Sequence, residues 1–355
     1  MVEVDTNPAP VPTKPLPLRH MRIAVSYYCN LRCQHCYVPE MNRVEYRKTL
    51  EPTELAVDKI VSFIDQLIAE CGLEKVSITG GEALLNVVWP RTAAVLRHAL
   101  DRGLKVQLNT SGSGQVEMNK IADLCGDDLR LLTIQLSLDG VDAEAVDRFR
   151  GRKGAMRRAV TFLEDAVSHG VAVQARMTMT ESNAEQVVPC YDFVSDSGAE
   201  SFHVKPMFAA GTAREHQDLL VWSRERVREI QLQLLSRSVG RATRLGLPEP
   251  VYVPESDFPQ GANAHTITCT CGDATGYIST NGDVYPCTYL VGAPNDESWI
   301  LGNLSDPNFD FVSAWTEPTT YSSFRYGSKN GQCPAQNALS EGLELDLGPI
   351  MSECD

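Results

Sequence analysis

Short apolar runs alternate with amphipathic stretches along residues 21–206. Runs such as Met21–Ser26 and Leu131–Leu138 are rich in Val, Ile and Leu and are bounded by polar or glycine residues, which is typical of buried strands. Between the runs, apolar residues recur every three or four positions, as in helices that bury one face. The pattern predicts strands at 21–26, 75–79, 105–109, 131–138, 171–177 and 201–206.

Helical patterns separate these strands, at 52–70, 89–102, 116–125, 142–149, 154–169 and 183–197. A repeated strand–helix order requires parallel strands joined by right-handed crossovers. The repeats fall short of the eight units of a closed barrel. The sequence therefore predicts an α/β fold, a partial (β/α)6 TIM-like barrel over residues 21–212.

The flanking regions have other patterns. Residues 1–20 contain several prolines and predict a disordered tail. From Gly211 the alternation stops, and residues 213–245 predict one long amphipathic helix, followed by a proline-rich linker that reaches residue 260. Residues 261–355 then predict a small module with a β-hairpin that turns at Asn281-Gly282 and a short helix that ends near Trp315.

Composition narrows the functional classes. The chain has 355 residues, of which 43% are hydrophobic, and a net charge of −14. This charge argues against nucleic acid and against anionic membranes as partners. No apolar stretch approaches the roughly 18 residues of a membrane span, and the first residues lack the apolar core of a signal peptide. We therefore expect a cytoplasmic protein.

Cysteine spacing carries the strongest chemical signal. In a reducing compartment, clustered cysteines are metal ligands more often than disulfides. Cys29, Cys33 and Cys36 stand at C-x3-C-x2-C on the loop after the first predicted strand. Three thiolates can hold three irons of a four-iron cluster and leave the fourth iron open, whereas electron-transfer clusters usually take four cysteines. The remaining thiols at 71, 125 and 190 fall within helical patterns, so we expect them to be structural.

The cysteine loop resembles the signature of the radical S-adenosylmethionine (SAM) enzymes. The resemblance implies that the open iron of a 4Fe–4S cluster binds SAM, and that reductive cleavage gives a 5′-deoxyadenosyl radical that abstracts hydrogen from a substrate. It also implies a reducing partner such as flavodoxin or ferredoxin. His35 occupies the place of an aromatic residue near the adenine, and Gly80-Gly81-Glu82 matches the motif that binds the SAM amino group.

Further polar residues stand at or just past predicted strand ends, where β/α barrels place their sites. These are Asn109, Ser111, Ser137 and Asp139. They could meet the ribose or carboxylate of SAM, meet the substrate, or simply cap turns. Arg148, Arg150 and Arg176 are candidates for pairing with the SAM carboxylate, because a guanidinium binds a carboxylate through two hydrogen bonds. Arg176 stands inside an otherwise apolar strand, which is unusual for a solvated charge.

The C-terminal cysteines resemble the auxiliary-cluster extension called SPASM, or its shortened form, Twitch. The matching elements are the spacing from Cys271 through Gly282 to Cys287, a Gly-Asn-Leu stretch, and the later Cys333. The final cysteine-rich run of the full pattern is absent, and Gln336 stands where its second cysteine is expected. The resemblance therefore implies one auxiliary 4Fe–4S cluster, and a zinc site with four thiolates is the alternative.

The fourth ligand of this cluster is either Cys269 or Cys354. We favour Cys269 slightly, because that end of the hairpin is already fixed. The thiol left over would be a catalytic candidate, since it could return hydrogen to a substrate radical and so cause epimerisation.

The substrate is less clearly indicated. Enzymes of this kind that act on ribosomal peptides commonly carry an added recognition domain, and no such domain precedes residue 21. This favours dehydrogenation or epimerisation of a sugar or aminocyclitol-type metabolite in antibiotic biosynthesis, and the acidic net charge would suit a cationic, aminoglycoside-like molecule. Epimerisation or cross-linking of a ribosomally made peptide is the alternative. A non-catalytic iron–sulfur or zinc protein is the alternative of another class, but it gives no account of Gly80-Gly81-Glu82.

Overall fold

One sheet of ten strands organises the described part of the chain. The computed structural model describes residues 18–38, 48, 51–220, 223–248, 250–293, 296–317, 320–321, 324, 333–335 and 339. The strands are β1 His20–Ser26, β2 Lys75–Gly80, β3 Lys105–Thr110, β4 Leu132–Ser137, β5 Ala172–Met179, β6 Ser201–Pro206, β7 Arg244–Pro248, β8 Ala264–Ile267, β9 Thr275–Ile278 and β10 Val284–Tyr285. Their order across the sheet is β10-β9-β1-β2-β3-β4-β5-β6-β7-β8.

Helices follow the strands as the alternation predicts. Those of the described residues are α1 Val57–Cys71, α2 Trp89–Asp101, α3 Met118–Cys125, α4 Ala143–Phe149, α5 Ala155–Ser168, α6 Val187–Asp196, α7 Arg224–Arg237 and α8 Phe311–Thr316. Neighbouring strands from β1 to β8 all pair in parallel. The predicted α/β class with a partial, barrel-like parallel sheet is confirmed. None of the described helices is long and apolar enough to cross a bilayer.

The two faces of the sheet differ in polarity. One face carries fully buried side chains such as Ile23, Ile78 and Leu108, which pack against the helices. The other face carries polar residues in neighbouring strands, among them Gln107 and Gln174. Interiors of closed barrels are usually filled with branched apolar residues. Here the inner face instead lines a polar cavity.

The single helix predicted over 213–245 is wrong. Residues 211–215 and 217–219 form two short 3-10 helices, and α7 begins only after Ser223, whose hydroxyl accepts a hydrogen bond from the Arg226 amide at 3.2 Å. Beyond α7 the chain returns to strand in β7, where Leu245 and Leu247 are buried. The alternation therefore continues past Gly211, and the start of the predicted linker belongs to β7. The first helix also begins later than predicted, at Val57.

The C-terminal hairpin joins the main sheet. Strands β9 and β10 pair antiparallel around the predicted Asn281-Gly282 turn, and β9 pairs in parallel with β1. The short helix α8 follows, with Trp315 fully buried. The hairpin cysteines are thereby fixed beside the first strand and its cysteine loop. Residues 1–17 of the predicted tail, Gln336 and Cys354 lie outside the described residues. The end of the predicted tail instead belongs to the fold, since Leu18 is fully buried and His20 begins β1.

Candidate active site

The loop after β1 carries the first three cysteines to the carboxyl end of the sheet. The Leu31 amide donates to Cys29 Sγ at 3.4 Å, and the Cys36 amide donates to the Cys33 carbonyl at 3.2 Å. All three thiols line one cavity of about 560 Å³. Burial, reinforced by the Glu82 carboxylate, raises the pKa of Cys29 to about 12. A metal ligated here would nevertheless hold the sulfur as thiolate, since a coordinating thiol is deprotonated.

Two glycines hold this loop through their backbones. A Cβ on Gly80 would lie 2.2 Å from the Ser26 carbonyl oxygen, and one on Gly81 would lie 2.3 Å from that of Tyr28. The Gly81 amide donates to the Ser26 carbonyl at 2.8 Å. Only glycine fits this approach. The close contact that the Gly-Gly pair requires is therefore with the cysteine loop itself.

Glu82 presents a buried carboxylate to the cavity. Its side chain is held by the Thr110 hydroxyl at 2.6 Å, by the amide and hydroxyl of Ser111 at 2.9 and 2.5 Å, and by the Leu84 amide at 3.1 Å. The residue is 1% exposed, and no described Lys, Arg or His forms an ion pair with it. A carboxylate fixed in this way suits a ligand ammonium, which would supply the missing positive charge.

His35 forms another part of the cavity wall. Its ring stacks on Phe149, with centroids 4.7 Å apart and planes at 12°, and its Nε2 lies 3.8 Å from Asp139. Burial lowers the pKa of His35, so the imidazole is neutral at pH 7. The Nδ1 atom is buried without a hydrogen-bond partner in the structure. Buried polar atoms are normally paired, so this atom fits a wall that a bound group completes.

The other predicted SAM-site residues separate into two groups. Asn109, Ser111, Ser137, Asp139, Arg150 and Arg176 all line the cavity. Arg150 donates through Nε and Nη2 to Asp139, at 2.9 and 2.8 Å, so much of its fork already has a partner. Arg148 is exposed on α4 and does not line the cavity, because the helix turns it outward.

The second cysteine set faces the same cavity. Cys271, Cys287 and Cys333 are buried and Cys269 is half-buried. Hydrogen bonds from the thiols of Cys269 and Cys287, together with Arg22, hold the pKa of Cys271 well below its usual range. The structure thus brings Cys269 to this set, as the sequence favoured. The four thiols interact with one another and are the donor type that an iron–sulfur cluster takes, although no three of the described His, Cys, Asp or Glu residues are spaced to hold a single metal ion.

The lining residues that the sequence did not single out include Arg22, Lys205 and Tyr289. Arg22 Nη1 donates to Cys271 Sγ at 3.7 Å. The available signal was a basic residue inside an apolar strand, the feature that singled out Arg176. Tyr289 had no comparable signal, because its position depends on the fold of the segment after Cys287.

Comparisons with known proteins agree with this arrangement. Residues 23–194 match the family model of the radical SAM superfamily, and residues 269–336 match that of the SPASM iron–sulfur cluster-binding domain. The AdoMet-dependent heme synthase of Methanosarcina barkeri is 27% identical, over 74% of this chain and 74% of that protein. The sporulation killing factor maturation protein SkfB of Bacillus subtilis is 26% identical, over 88% of this chain and 68% of that protein.

Among solved structures, Streptococcus suis SuiB bound to its precursor peptide SuiA is similar in fold. The TM-score is 0.63 at 17% identity, and the match covers 92% of this chain and 70% of that one. The two family models support catalysis over the alternative of a non-catalytic iron–sulfur or zinc protein. They also account for a SAM-binding cluster and an auxiliary iron–sulfur cluster in one chain.

Proposed function

We propose that this chain, which belongs to the SPASM-type branch of the radical SAM enzymes, modifies a peptide by abstracting hydrogen from one of its C–H bonds. The observation that carries the proposal is the single cavity lined by both cysteine sets. A substrate in this cavity lies between the two redox centres. When bound, the SAM-loaded cluster supplies a 5′-deoxyadenosyl radical, and the protein supplies orientation and exclusion of water.

The residues divide the work as follows. Cys29, Cys33 and Cys36 hold the SAM-binding cluster, and Cys269, Cys271, Cys287 and Cys333 hold the auxiliary cluster. Glu82 accepts hydrogen bonds from the SAM ammonium, because it is a buried carboxylate that forms no ion pair with any described residue. Neutral His35 packs beside the adenine. Asn109, Ser111 and Ser137 supply hydroxyl and amide groups for the ribose or the carboxylate.

A peptide is favoured over a sugar or aminocyclitol by two considerations. SkfB is named for maturation of a sporulation killing factor, and its similarity extends over most of this chain, while SuiB, which is similar in fold, is bound to a precursor peptide. The acidic net charge of the chain was an argument for a cationic substrate, but the cavity itself has more basic than acidic residues. Its described lining contains six Arg or Lys residues, at 22, 32, 75, 150, 176 and 205, against two carboxylates, at 82 and 139.

The similar heme synthase favours a tetrapyrrole as a second candidate substrate. Both candidates can be compared in one assay. The anaerobically reconstituted, reduced protein is incubated with SAM and with panels of peptides, tetrapyrroles and aminoglycosides, and 5′-deoxyadenosine and substrate mass are measured.

We expect a peptide to stimulate 5′-deoxyadenosine formation and to lose hydrogen, either by desaturation or by formation of an internal cross-link. The absence of any 5′-deoxyadenosine would contradict an enzyme. Stimulation by a tetrapyrrole or an aminoglycoside alone would contradict the peptide.

A further inference from the structure

Two basic side chains flank one tyrosine inside the cavity. Arg176 Nη2 donates to the Tyr289 hydroxyl at 3.3 Å. Lys205 Nζ lies 4.2 Å from the centre of the Tyr289 ring and 3.8 Å from that of Phe208. Strands β5 and β6 are neighbours that pair Arg176 with His203 and Thr178 with Lys205. Because side chains alternate along a strand, both cations project into the cavity.

Neither cation has a carboxylate partner in the part of the chain that the structure describes. No ion pair among the described residues includes Arg176 or Lys205. The two lining carboxylates are already committed, Glu82 to its hydroxyl and amide donors and Asp139 to Arg150. Lys205 is only 8% exposed. A desolvated cation without a counter-ion is costly, and an anionic ligand would offset this cost.

The auxiliary thiols do not account for both cations. Arg22 already donates to Cys271 Sγ. Lys205 contacts two aromatic rings and also acts electrostatically on Cys271, whereas Arg176 contacts a hydroxyl. The Tyr289 phenol therefore lies beside two positive charges, with Arg176 at its hydroxyl and Lys205 over its ring. An acceptor placed here can receive hydrogen bonds from all three groups.

Tyr289 connects this cation pair to the segments that carry the two cysteine sets. The rings of Tyr37 and Tyr289 meet edge to face with centroids 6.1 Å apart. Tyr37 directly follows Cys36, and Tyr289 comes shortly after Cys287. A group bound at Tyr289 therefore lies in the cavity near the segments of both cysteine sets.

We propose that Arg176, Lys205 and the Tyr289 hydroxyl form a carboxylate-binding subsite, so that the substrate carries an acidic side chain or a chain-terminal carboxylate close to the C–H bond that reacts. This inference rests on the proposed function and specifies the substrate of the same site. It also replaces the prediction that Arg176 pairs with the carboxylate of SAM.

The test uses holoenzyme with both clusters and SAM bound, and needs no turnover. Equilibrium dialysis compares a capped tripeptide with a central aspartate against its asparagine twin. A second pair compares a peptide with a free C-terminal carboxylate against its amide. We expect one pair to show a preference for the carboxylate of about tenfold, as for a charge-assisted hydrogen bond. The pair that shows it identifies the source of the carboxylate.

In the double variant Arg176→Met/Lys205→Met, the affinity ratio between the carboxylate peptide and its amide twin should fall to about twofold or less. In Arg176→Lys, which keeps the charge, part of the preference should remain. Arg148→Met is the surface control, and Lys75→Met is the control for a cavity cation outside the subsite. Iron content and SAM affinity report whether each variant retains its fold and cofactor site.

Three results would overturn the subsite: no carboxylate preference in either pair, equal loss of preference in Lys75→Met, or a loss of SAM affinity in Arg176→Met that matches the loss for the peptide. Failure of the proposed function is seen separately, as the absence of 5′-deoxyadenosine from wild-type protein.

Discussion

Arg150 donates two hydrogen bonds to a single carboxylate oxygen of Asp139, at 2.9 and 2.8 Å, where both side chains are almost completely buried. Although burial alone would raise it, the Arg150 guanidinium and His35 hold the pKa of Asp139 below its usual value. The same guanidinium acts on the Cys33 thiol. The ion pair therefore stiffens the wall shared by the cysteine loop and His35.

Removing one member of this pair should be more damaging than removing both. Asp139→Asn leaves Arg150 buried without its counter-ion, which costs about 3–5 kcal/mol of unfolding free energy. A double Asp139→Leu/Arg150→Met variant removes both charges and should cost less than Asp139→Asn. Anaerobic chemical denaturation of the apoprotein measures both values. A double variant that is less stable than Asp139→Asn would show that the charges contribute net stability.

The sequence predicts the fold well where the spacing of apolar residues is regular. It fails where the boundary of a helix depends on a capping residue. The strands from β1 to β6 were predicted to within about two residues. The helix over 213–245 was not, because Leu219 and Leu220 extend its apolar stripe toward the N-terminus. The helix itself begins only after Ser223, which caps its first turn.

The site divides in the same way. Cysteine spacing and Gly80-Gly81-Glu82 depend on local sequence and could be recognised. The Arg176–Tyr289 contact joins residues 113 positions apart and depends on how the C-terminal hairpin docks on β1. No short sequence motif predicts that the hairpin pairs with β1.

Loss of one loop thiol should remove one cluster and all SAM cleavage. Cys33→Ser is expected to lower iron by about four per chain and to abolish 5′-deoxyadenosine, because Cys33 lines the cavity beside Arg150. Cys71→Ser is the matched control, a half-buried thiol at the end of α1. Full SAM cleavage by Cys33→Ser would contradict its role as a ligand.

Glu82→Gln should weaken SAM binding. The substitution keeps the shape but removes the charge, and it places an amide NH2 against either the Thr110 donor at Oε1 or the Ser111 donors at Oε2. Loss of one charged hydrogen bond corresponds to about 1.5–3 kcal/mol, or roughly 10- to 150-fold in Kd. Equilibrium dialysis with labelled SAM measures it, and exposed Glu74→Gln serves as the control. An unchanged Kd would remove Glu82 from the SAM site.

Gly81→Ala isolates the contact between the glycine pair and the cysteine loop. Its Cβ would meet the Tyr28 carbonyl at 2.3 Å, although the Gly81 backbone is not in the left-handed region. Overpacking of this kind costs about 1–3 kcal/mol and should lower cluster occupancy by displacing the loop. Gly103→Ala has the opposite combination: its backbone is in the left-handed region, with φ at +70°, but a Cβ would meet no atom within 4 Å. It should reduce stability yet leave iron content unchanged. Equal iron loss in both variants would contradict a specific contact with the loop.

The fourth ligand of the auxiliary cluster is either Cys269 or Cys354, and iron content distinguishes the two. Cys269 is half-buried and forms a hydrogen bond with Cys271, which Arg22 also contacts, whereas Cys354 lies outside the described residues. If Cys269 is the fourth ligand, Cys269→Ser should lower iron from about eight to about four per chain and remove the auxiliary signal from the electron paramagnetic resonance spectrum. Cys354→Ser should keep both. Cys269→Ser should still cleave SAM without substrate, because the loop thiols stay intact, but should convert little peptide.

The reverse pattern, with iron lost in Cys354→Ser and retained in Cys269→Ser, would free Cys269 to face the substrate. It would then be the thiol that could return hydrogen to the substrate radical, and epimerisation would become the expected outcome. Mass spectrometry in deuterated water separates the two cases, since return of a solvent-exchanged thiol hydrogen adds one deuterium to the product and net dehydrogenation adds none.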